Sequence, residues 1–468
     1  MEKWKKIKLK LAKNKAGFFV GLSGAVYLFF KLKNLTFHFG DGNAYLYMAD
    51  IFWKGSLPYR DYFLADPPFL VIFLTALSKF FGKHLLLFQL VPIFFEIGSA
   101  ILIYLILKRF KSPLAFLGSI FYLFSFSILA TSDYLTGVQV VVFLILAAIL
   151  AWLKNKFFWS GLFWSLAILT KLYALAGFSG FLVFLFWKKG ELKKTASFFL
   201  GGLLGLGLFL GPFLVISFKS VWQYLVMHQL NRPAGISKGS IFSFYLKREW
   251  FFILGALAGL IISRKKIIVF PALGLIIFFL IFQDLYYLYL NSFFPFLIIL
   301  TILFLGWVFK KNQILGKTLI FIYGICLLFS VAFYDQDFNE KGEFRNVQEI
   351  AQFIATLPAA DLYGSHEVAP IVALMTQRRL VGNYIDTNGQ AFASGGQDLK
   401  KASAETCQGK AYFLAKITDI SEREIEDFGF DAYFDRNIFN ECCQAIKKFP
   451  DTSGNQFNRV AIYQCGKQ

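Results

Sequence analysis

Acidic residues are scarce in the first two-thirds of this 468-residue chain. Residues 1–334 contain 10 of the 29 aspartates and glutamates but 34 of the 48 lysines and arginines. The formal net charge of +19 would suit a nucleic-acid-binding protein, but residues 335–468 carry only 14 basic residues against 19 acidic ones. The basic excess therefore belongs to the apolar part of the chain, where Lys and Arg set orientation in a membrane. We predict no nucleic-acid partner.

Cysteine and the common nucleotide-binding motifs are also scarce or missing. The chain has five cysteines and no CxxC pair, so the sequence predicts no zinc site. Cys407, Cys442, Cys443 and Cys465 follow residue 335 and could form one or two disulfides if that region is exported. The adjacency of Cys442 and Cys443 leaves their pairing open. No GxGxxG or P-loop sequence occurs, so nothing indicates nucleotide binding.

Long apolar runs are what the chain has in abundance. Hydrophobic residues make up 57% of it, including 60 phenylalanines, whereas soluble domains average about 45–50%. A membrane-spanning helix needs about 17–25 apolar residues. We predict about eleven such helices, near 16–33, 85–107, 114–130, 138–153, 157–170, 172–187, 195–217, 250–263, 267–283, 285–308 and 318–334. The first could be read as a signal peptide, but no small-residue cleavage site follows it, which favours a retained helix.

Basic residues alternate between the connections. Every second connection is basic, and together these hold 22 lysines and arginines, beginning with seven lysines between Lys3 and Lys15. The positive-inside rule makes that side cytoplasmic. With an odd number of spans, the rule predicts a plasma-membrane protein with a cytoplasmic N-terminus and an extracytoplasmic region 335–468.

Three further regions are predicted on the outer side. The loops 34–84 and 218–249 are long, and residues 67–81 within the first are amphipathic, as in helices that lie in the membrane interface. Residues 335–468 alternate short apolar runs with helical stretches, which predicts an α/β domain. Its expected strands are 361–364, 379–381, 411–417, 432–434 and 460–464, and its expected helices are 347–356, 369–376 and 422–428.

The strongest candidate for chemistry is Asp41. It directly follows the first predicted span between Gly40 and Gly42, which let a backbone pack closely. A carboxylate costs about 2.5–3.5 kcal/mol at the centre of a membrane helix, so acids kept at the mouth of a bundle are functional candidates. Glu96 lies inside the second predicted span and should pair within the bundle.

Other polar residues at the outer ends of spans could bind an anionic group. Asp133 and Lys171 end the third and fifth spans, and His228 and Arg232 lie in the second long loop. Each could equally be a solvated loop residue, and Lys171 could reach the lipid headgroups. A carboxylate beside cations at a lipid surface suits transfer from a lipid-linked phosphate. The carboxylate would accept a proton from a hydroxyl and a cation would stabilise the departing phosphate.

Several ordered segments resemble the GT-C membrane glycosyltransferases, and most closely the family 39 type. That type includes protein O-mannosyltransferases, aminoarabinose transferases and RgtA-like bacterial enzymes. The resemblance covers most of the chain and rests on the order of its segments: Asp41 to Tyr45, Gly55 to Tyr62, Asp66-Pro67-Pro68, Phe81-Gly82, Gly161 to Lys171, Tyr286 to Tyr289 with Pro295, and Pro370 to Asn388.

The resemblance implies a GT-C-like membrane domain over residues 1–334 that uses a polyprenyl-phosphate sugar donor at the outer leaflet. Asp41 matches the family's catalytic aspartate. The usual second acid is Gly42 here, the usual arginine is Ala44, and the lysine before Pro-Pro is Asp66. These departures leave open whether a divalent metal is used and which residue binds the phosphate. Arg60 and Lys171 are our candidates for the phosphate-binding residue.

Two other functions stay in view. A flippase or transporter would place charges at the midplane of discontinuous helices and carry inverted repeats, and the sequence shows neither. A polymerase or ligase of lipid-linked glycans would also use outer loops. The acceptor could be a lipid, a glycan or a protein, and neither it nor the sugar is indicated.

Overall fold

The computed structural model describes residues 2–33, 35, 40–82, 84–132, 134–187, 192–263, 265–335, 347–417, 431–449 and 459–466. Helices dominate up to residue 335. They are α1 Glu2–Leu32, α2 Gly42–Trp53, α3 Phe69–Phe81, α4 Leu85–Phe88, α5 Leu90–Arg109, α6 Ala115–Leu123, α7 Phe126–Thr131, α8 Val138–Leu153, α9 Phe157–Thr170, α10 Ala174–Trp187, α11 Leu192–Phe209, α12 Gly211–Trp222, α13 His228–Asn231, α14 Lys238–Ile262, α15 Lys266–Ile281, α16 Phe294–Lys311 and α17 Gln313–Tyr334.

Each of the eleven predicted apolar segments overlaps an α-helix, but the segment predicted at 285–308 becomes α-helical only at Phe294, after the 3₁₀ helix Tyr287–Ser292. Among the described residues, five helices are long and apolar enough to cross a membrane: Lys15–Leu32, Leu85–Arg109, Leu192–Phe209, Phe294–Lys311 and Gln313–Tyr334. Five more apolar helices are shorter: Phe69–Phe80, Val138–Leu153, Phe157–Thr170, Ala174–Trp187 and Lys266–Ile281. The number that actually crosses therefore stays a prediction.

Two predicted helices are interrupted. The segment predicted at 114–130 breaks between α6 and α7, where Phe124 and Ser125 leave the helical conformation. The segment predicted at 195–217 divides at Leu210 into α11 and α12. An apolar run does not reveal such breaks, because hydropathy stays high across them.

Small residues bring helix pairs into backbone contact. A Cβ on Gly161 of α9 would lie 1.8 Å from the Phe198 carbonyl oxygen of α11. Likewise, a Cβ on Gly274 of α15 would lie 2.1 Å from the Ala176 carbonyl oxygen of α10. Packing of this kind replaces the hydrophobic effect between helices in lipid. The α10–α15 pair forms one wall of a groove.

Buried polar contacts connect the helices. Tyr122 of α6 donates a hydrogen bond to Glu96 of α5, which supplies the partner that the sequence could not name. Lys31 of α1 donates a hydrogen bond to Tyr334 of α17 at 2.8 Å. This contact joins the first helix to the one that ends just before the α/β region. Each pairing satisfies a group that would be costly to leave alone in an apolar bundle.

Residues 347–466 form a four-stranded mixed sheet with helices. The strands β1 Leu362–Gly364, β2 Tyr412–Ile417, β3 Cys443–Phe449 and β4 Arg459–Cys465 lie in the order β1-β2-β4-β3. The β1–β2 pair is parallel and the others are antiparallel. The helices are α18 Val347–Thr356, α19 Ala369–Thr376, α20 Gly389–Ala393, α21 Leu399–Gln408 and α22 Arg436–Cys442.

The predictions for this α/β region have mixed outcomes. Helices 347–356 and 369–376 and strands 361–364, 411–417 and 460–464 are confirmed. The strand predicted at 432–434 is wrong: it is a turn that buries Tyr433 and Phe434. At 379–381 only Leu380 makes an isolated bridge, to Leu362. The helix predicted at 422–428 lies outside the described residues.

Four cysteines of this region form two disulfides. Cys407 pairs with Cys442, and Cys443 pairs with Cys465. Cys443 begins β3 and Cys465 ends β4, and the two are direct partners in the sheet register. The sheet register therefore decides the pairing that adjacent Cys442 and Cys443 leave open in the sequence.

Candidate functional site

Asp41 lies at the entrance to α2, at the end of the helical bundle that faces the α/β region. It occupies the position before the first helical residue, and its carbonyl oxygen accepts a hydrogen bond from the Tyr45 amide at 3.2 Å. A Cβ on Gly42 would lie 2.9 Å from the Leu135 Cβ. This position, which carries an acid in the resembling family, therefore has no room for a side chain here.

His366 contacts Asp41 from the α/β region. Its Nε2 lies 3.2 Å from Asp41 Oδ1. Burial would raise the pKa of Asp41, but His366, Lys171 and Arg232 outweigh it and lower that pKa to about 2. Burial alone would lower the pKa of His366, yet Asp41, Glu367 and Asp386 raise it to about 9. Asp41 and His366 thus form an ion pair at neutral pH.

The Asp41 side chain is 49% exposed, and it lines a partly open cavity. The cavity lies between the helical bundle and the α/β region. Its polar lining is Asp41, Tyr45, Asp66, Lys171, His228, Gln229, Arg232, Tyr289, His366, Asp386, Asn388 and Gln390. Asp41 is therefore accessible to a ligand in a cavity whose lining includes charged groups of both regions.

Lys171 and Asp66 form a second charge pair in the cavity. Lys171 directly follows α9, and its Nζ donates to Asp66 Oδ2 at 2.7 Å and to Tyr45 Oη at 2.8 Å. Tyr45 also donates to Asp66. Asp66 stands where the GT-C family that the sequence resembles has a lysine. In this chain Asp66 instead binds Lys171, which directly follows α9.

Arg232 is the second cation of the cavity. Its Nη2 lies 2.6 Å from Asp284 Oδ2, and its Nη1 donates to Gln229 at 3.3 Å. Its Nε is buried, and no described residue provides it with a hydrogen-bond partner. One donor of this guanidinium is therefore unsatisfied within the described residues, and Arg232 itself lines the cavity.

His228 differs from these cations. Burial and the charge of Arg232 lower its pKa to about 4, against a weaker opposing effect of Asp66. Its Nδ1 lies 2.5 Å from Ser394 Oγ of the α/β region. His228 is therefore neutral at pH 7 and can offer a hydrogen bond but no charge.

An apolar groove opens beside the cavity. It encloses about 850 Å³ between α10, α15 and residues 225–232, within the size range of small-molecule sites. Its inner end shares Asp66, Lys171, Gln229, Arg232 and Tyr289 with the cavity. Further out, its walls are apolar, and Leu175, Ile277 and Ile281 are exposed there. An elongated apolar molecule in the groove would present its head to the two cations.

The structure brings five of the seven candidate residues together: Asp41, Asp66, Lys171, His228 and Arg232 all line the cavity. Arg60 is not among the lining residues; it pairs with Asp61 at 2.8 Å and its side chain is 50% exposed. Asp133 lies outside the described residues. Sequence reasoning gave no role to His366 or Asp386, although histidine is rare enough, with four in the chain, to have drawn attention.

The residues of the cavity do not form an obvious metal site. Among the described residues, a group of three potential ligands close enough to share an ion occurs only at Cys407, Cys442 and Cys443, and these form disulfides. In the cavity, Asp41 and Asp66 are already paired with His366 and Lys171. These two carboxylates are therefore engaged by cations of the protein itself.

Comparison with solved structures identifies the fold. ArnT from Cupriavidus metallidurans bound to undecaprenyl phosphate superposes with a TM-score of 0.67 at 12% identity, covering 96% of this chain and 98% of that one. This chain has the ArnT fold. The same enzyme in the apo state gives 0.65 at 14% identity, covering 97% and 98%. The polytopic GT-C fold that the sequence resemblance implied is thereby confirmed.

Comparisons of the amino-acid sequence found no match. No protein-family model matches the chain, and no curated protein matches it either. At 12–14% identity the likeness to ArnT concerns the fold, and a shared fold does not by itself imply a shared chemistry.

Proposed function

We propose that this protein is a glycosyltransferase that moves a sugar from a polyprenyl-phosphate donor to an acceptor hydroxyl on the outer face of the membrane. The observation that carries the proposal is the junction of groove and cavity. The apolar groove ends at Lys171 and Arg232, and the same two cations lie in the cavity that contains Asp41.

The groove suits the lipid part of such a donor. Its walls are apolar, and its outer residues are exposed where a membrane helix would meet lipid. A prenyl chain could therefore enter from the bilayer without crossing water. The ArnT structure was solved with undecaprenyl phosphate bound, and we infer a ligand of the same class here.

The phosphate would lie against Arg232 and Lys171. Arg232 has a buried Nε without a partner among the described residues, and Lys171 Nζ contacts one carboxylate and one phenol. When the bond between the sugar's anomeric carbon and the phosphate oxygen breaks, the electron pair leaves with the polyprenyl phosphate. Fixed cations lower the barrier because they stabilise this growing charge.

Asp41 would be the general base. Its Oδ1 faces His366, while no described residue makes a hydrogen bond to its Oδ2. As the acceptor oxygen bonds to the anomeric carbon, its proton passes to this free oxygen. A carboxyl with a pKa of about 2 is a weak base, so the proton transfers late, when the hydroxyl has become acidic through bond formation.

The proposed orientation places the cavity and residues 335–468 outside the cell, with residues 1–334 as the membrane domain. The lysine alternation supports this, because it puts the N-terminus in the cytoplasm. The two disulfides support it independently, since disulfides persist in oxidising compartments and are rare in the cytosol.

The deciding experiment uses the purified protein in lipid nanodiscs with a panel of radiolabelled polyprenyl-phosphate sugars. We expect one donor to be consumed, with release of polyprenyl phosphate, and Asp41→Asn to abolish consumption while the protein remains folded. A flippase would move the lipid between leaflets without cleaving it, and a polymerase would lengthen lipid-linked glycans. Absence of consumption of every donor would contradict the proposal.

A further inference from the structure

The α/β region packs directly on the first outer loop. Asn43 Nδ2 donates to the Glu367 carbonyl oxygen at 2.6 Å, and the Leu380 amide donates to Tyr47 Oη at 3.0 Å. On the other side of the cavity, Ser394 contacts His228. These contacts fix the α/β region over α2, so its residues take part in the cavity as a defined wall.

His366 lies in the turn between β1 and α19, and both of its neighbours are fixed. Ser365 donates its backbone amide to the Leu414 carbonyl oxygen at 3.1 Å, and so extends the β1–β2 pairing by one residue. Glu367 forms an ion pair with Lys416 of β2, and its carbonyl oxygen accepts the hydrogen bond from Asn43. The sheet and the first outer loop therefore hold the turn from both sides.

We propose that the α/β region completes the catalytic site and that His366 is the positioning residue for Asp41. His366 occupies one oxygen of the Asp41 carboxylate and so turns the other toward the acceptor. This inference rests on the proposed function for the identity of the reaction, but the contact itself can be tested without turnover.

The surrounding charges show why His366 has this effect. Lys171 and Arg232 act on Asp41 from the membrane domain, and the hydrogen bond to Asp41 comes from His366. Glu367 and Asp386 act on His366 from the α/β region, together with Asp41. Tyr286 and Tyr287 also feel the charge of Asp41. Of these groups, His366 alone makes a hydrogen bond to the Asp41 side chain within the described residues.

The first test measures the ion pair directly. The chain has four histidines, at positions 38, 84, 228 and 366, so NMR spectra of protein with labelled histidine rings are simple enough to follow across a pH titration. We expect His366, assigned by loss of its signal in His366→Gln, to titrate near pH 9. In Asp41→Asn the pKa of His366 should be lower by about 1–3 units, because the opposite charge beside it has been removed. An unchanged titration would refute the contact, whatever the protein's activity.

The second test measures what the contact does. His366→Ala should lower kcat by about 10–100-fold, since misplacing a reacting group by about 1 Å has effects of this size, and should leave the KM for the donor nearly unchanged. The acidic limb of the pH profile should move up by about 1–3 units as the pKa of Asp41 rises. His366→Gln keeps a hydrogen-bond donor without the charge, so it should recover part of kcat but not the position of the acidic limb.

The matched control is His84→Ala, because His84 is exposed at the start of α4 and does not line the cavity. It should retain wild-type turnover. A His366→Ala variant that is folded and turns over like wild type, with an unshifted pH profile, would overturn the inference while leaving the proposed reaction intact. If wild type consumes no donor, the proposed function fails, and the titration still decides whether the ion pair exists.

Discussion

The two walls of the cavity differ in chemistry and origin. The membrane domain contributes the cations Lys171 and Arg232 at the end of an apolar groove. The α/β region contributes His366 and Asp386. Asp41 stands between the walls and is influenced by charges from both. Under the proposed function, the two walls would divide the work: the membrane wall would bind the lipid phosphate, and the opposite wall would set the protonation state of Asp41.

The two walls also differ in how their charges are held. Lys171 and Arg232 are paired with Asp66 and Asp284 of the membrane domain, so neither needs the α/β region to keep its position. Asp41 is paired with His366 across the two regions. The membrane wall can thus be complete alone, whereas the base depends on how the α/β region is seated.

The largest effect is expected at Asp41, where the walls meet. Asp41→Asn removes the proposed proton acceptor and should lower donor turnover by about 10²–10⁴-fold, the usual contribution of a general base. Transfer of radiolabel from the donor measures this. Asp50→Asn is the control, since Asp50 pairs with Lys54 and does not line the cavity, and it should behave as wild type. Full activity in folded Asp41→Asn would assign the base to another residue.

The membrane wall is tested next through Arg232. Arg232→Met should reduce kcat/KM for the donor by about 10²–10³-fold, because a preorganised charge on the leaving phosphate is lost. Arg232→Lys should recover part of the rate, since it restores charge without the planar donors. Steady-state kinetics against donor concentration measures both. Equal rates for the Met and Lys variants would show that charge at this position is not used.

The groove should have a smaller and more selective effect. Ser179 is an exposed residue of the groove on α10. Ser179→Trp would fill the space that we propose for the prenyl chain. We expect the donor KM to rise about tenfold, which corresponds to about 1.4 kcal/mol of binding, with kcat preserved. Thr318→Trp, exposed on α17 and away from the groove, is the control. If both variants bind the donor normally, the lipid lies elsewhere.

The smallest effect is expected at Arg60. Its guanidinium forms a solvent-exposed pair with Asp61 and does not line the cavity, and exposed pairs contribute little. Arg60→Ala should therefore change turnover by no more than about twofold, measured side by side with Arg232→Met. A loss comparable to that of Arg232→Met would mean that Arg60 moves into the site during catalysis.

The effect of pH should follow the two members of the ion pair. The pKa of Asp41 is lowered, so the stabilising effect of the pair is present above its usual value and is lost as pH falls through about 2. The pKa of His366 is raised, so that effect is fully present below its usual value and is lost as pH rises through about 9. The Asp41–His366 ion pair is therefore intact throughout the neutral pH range.

The sequence was a good guide wherever hydropathy or charge scarcity carried the signal. Each predicted apolar segment overlaps an α-helix. Five candidate residues, chosen because they lie at the outer ends of spans or in the outer loops, converge on one cavity. It was a poor guide in the α/β region. There β3 was missed because most of its residues are exposed and it contains Lys447-Lys448 rather than an apolar run. Residues 432–434 were mistaken for a strand because a turn can bury aromatic side chains equally well.

The sequence by itself determined that this is a membrane protein with Asp41 at the mouth of a helical bundle, because spans and lysine patterns are local properties. Only the tertiary structure decided that His366, 325 positions away along the chain, touches Asp41, and that Asp66 holds Lys171. Such pairings depend on how the β1–α19 turn is seated over α2 and on where α9 ends beside α3. Packing fixes those positions, and no short stretch of sequence encodes them.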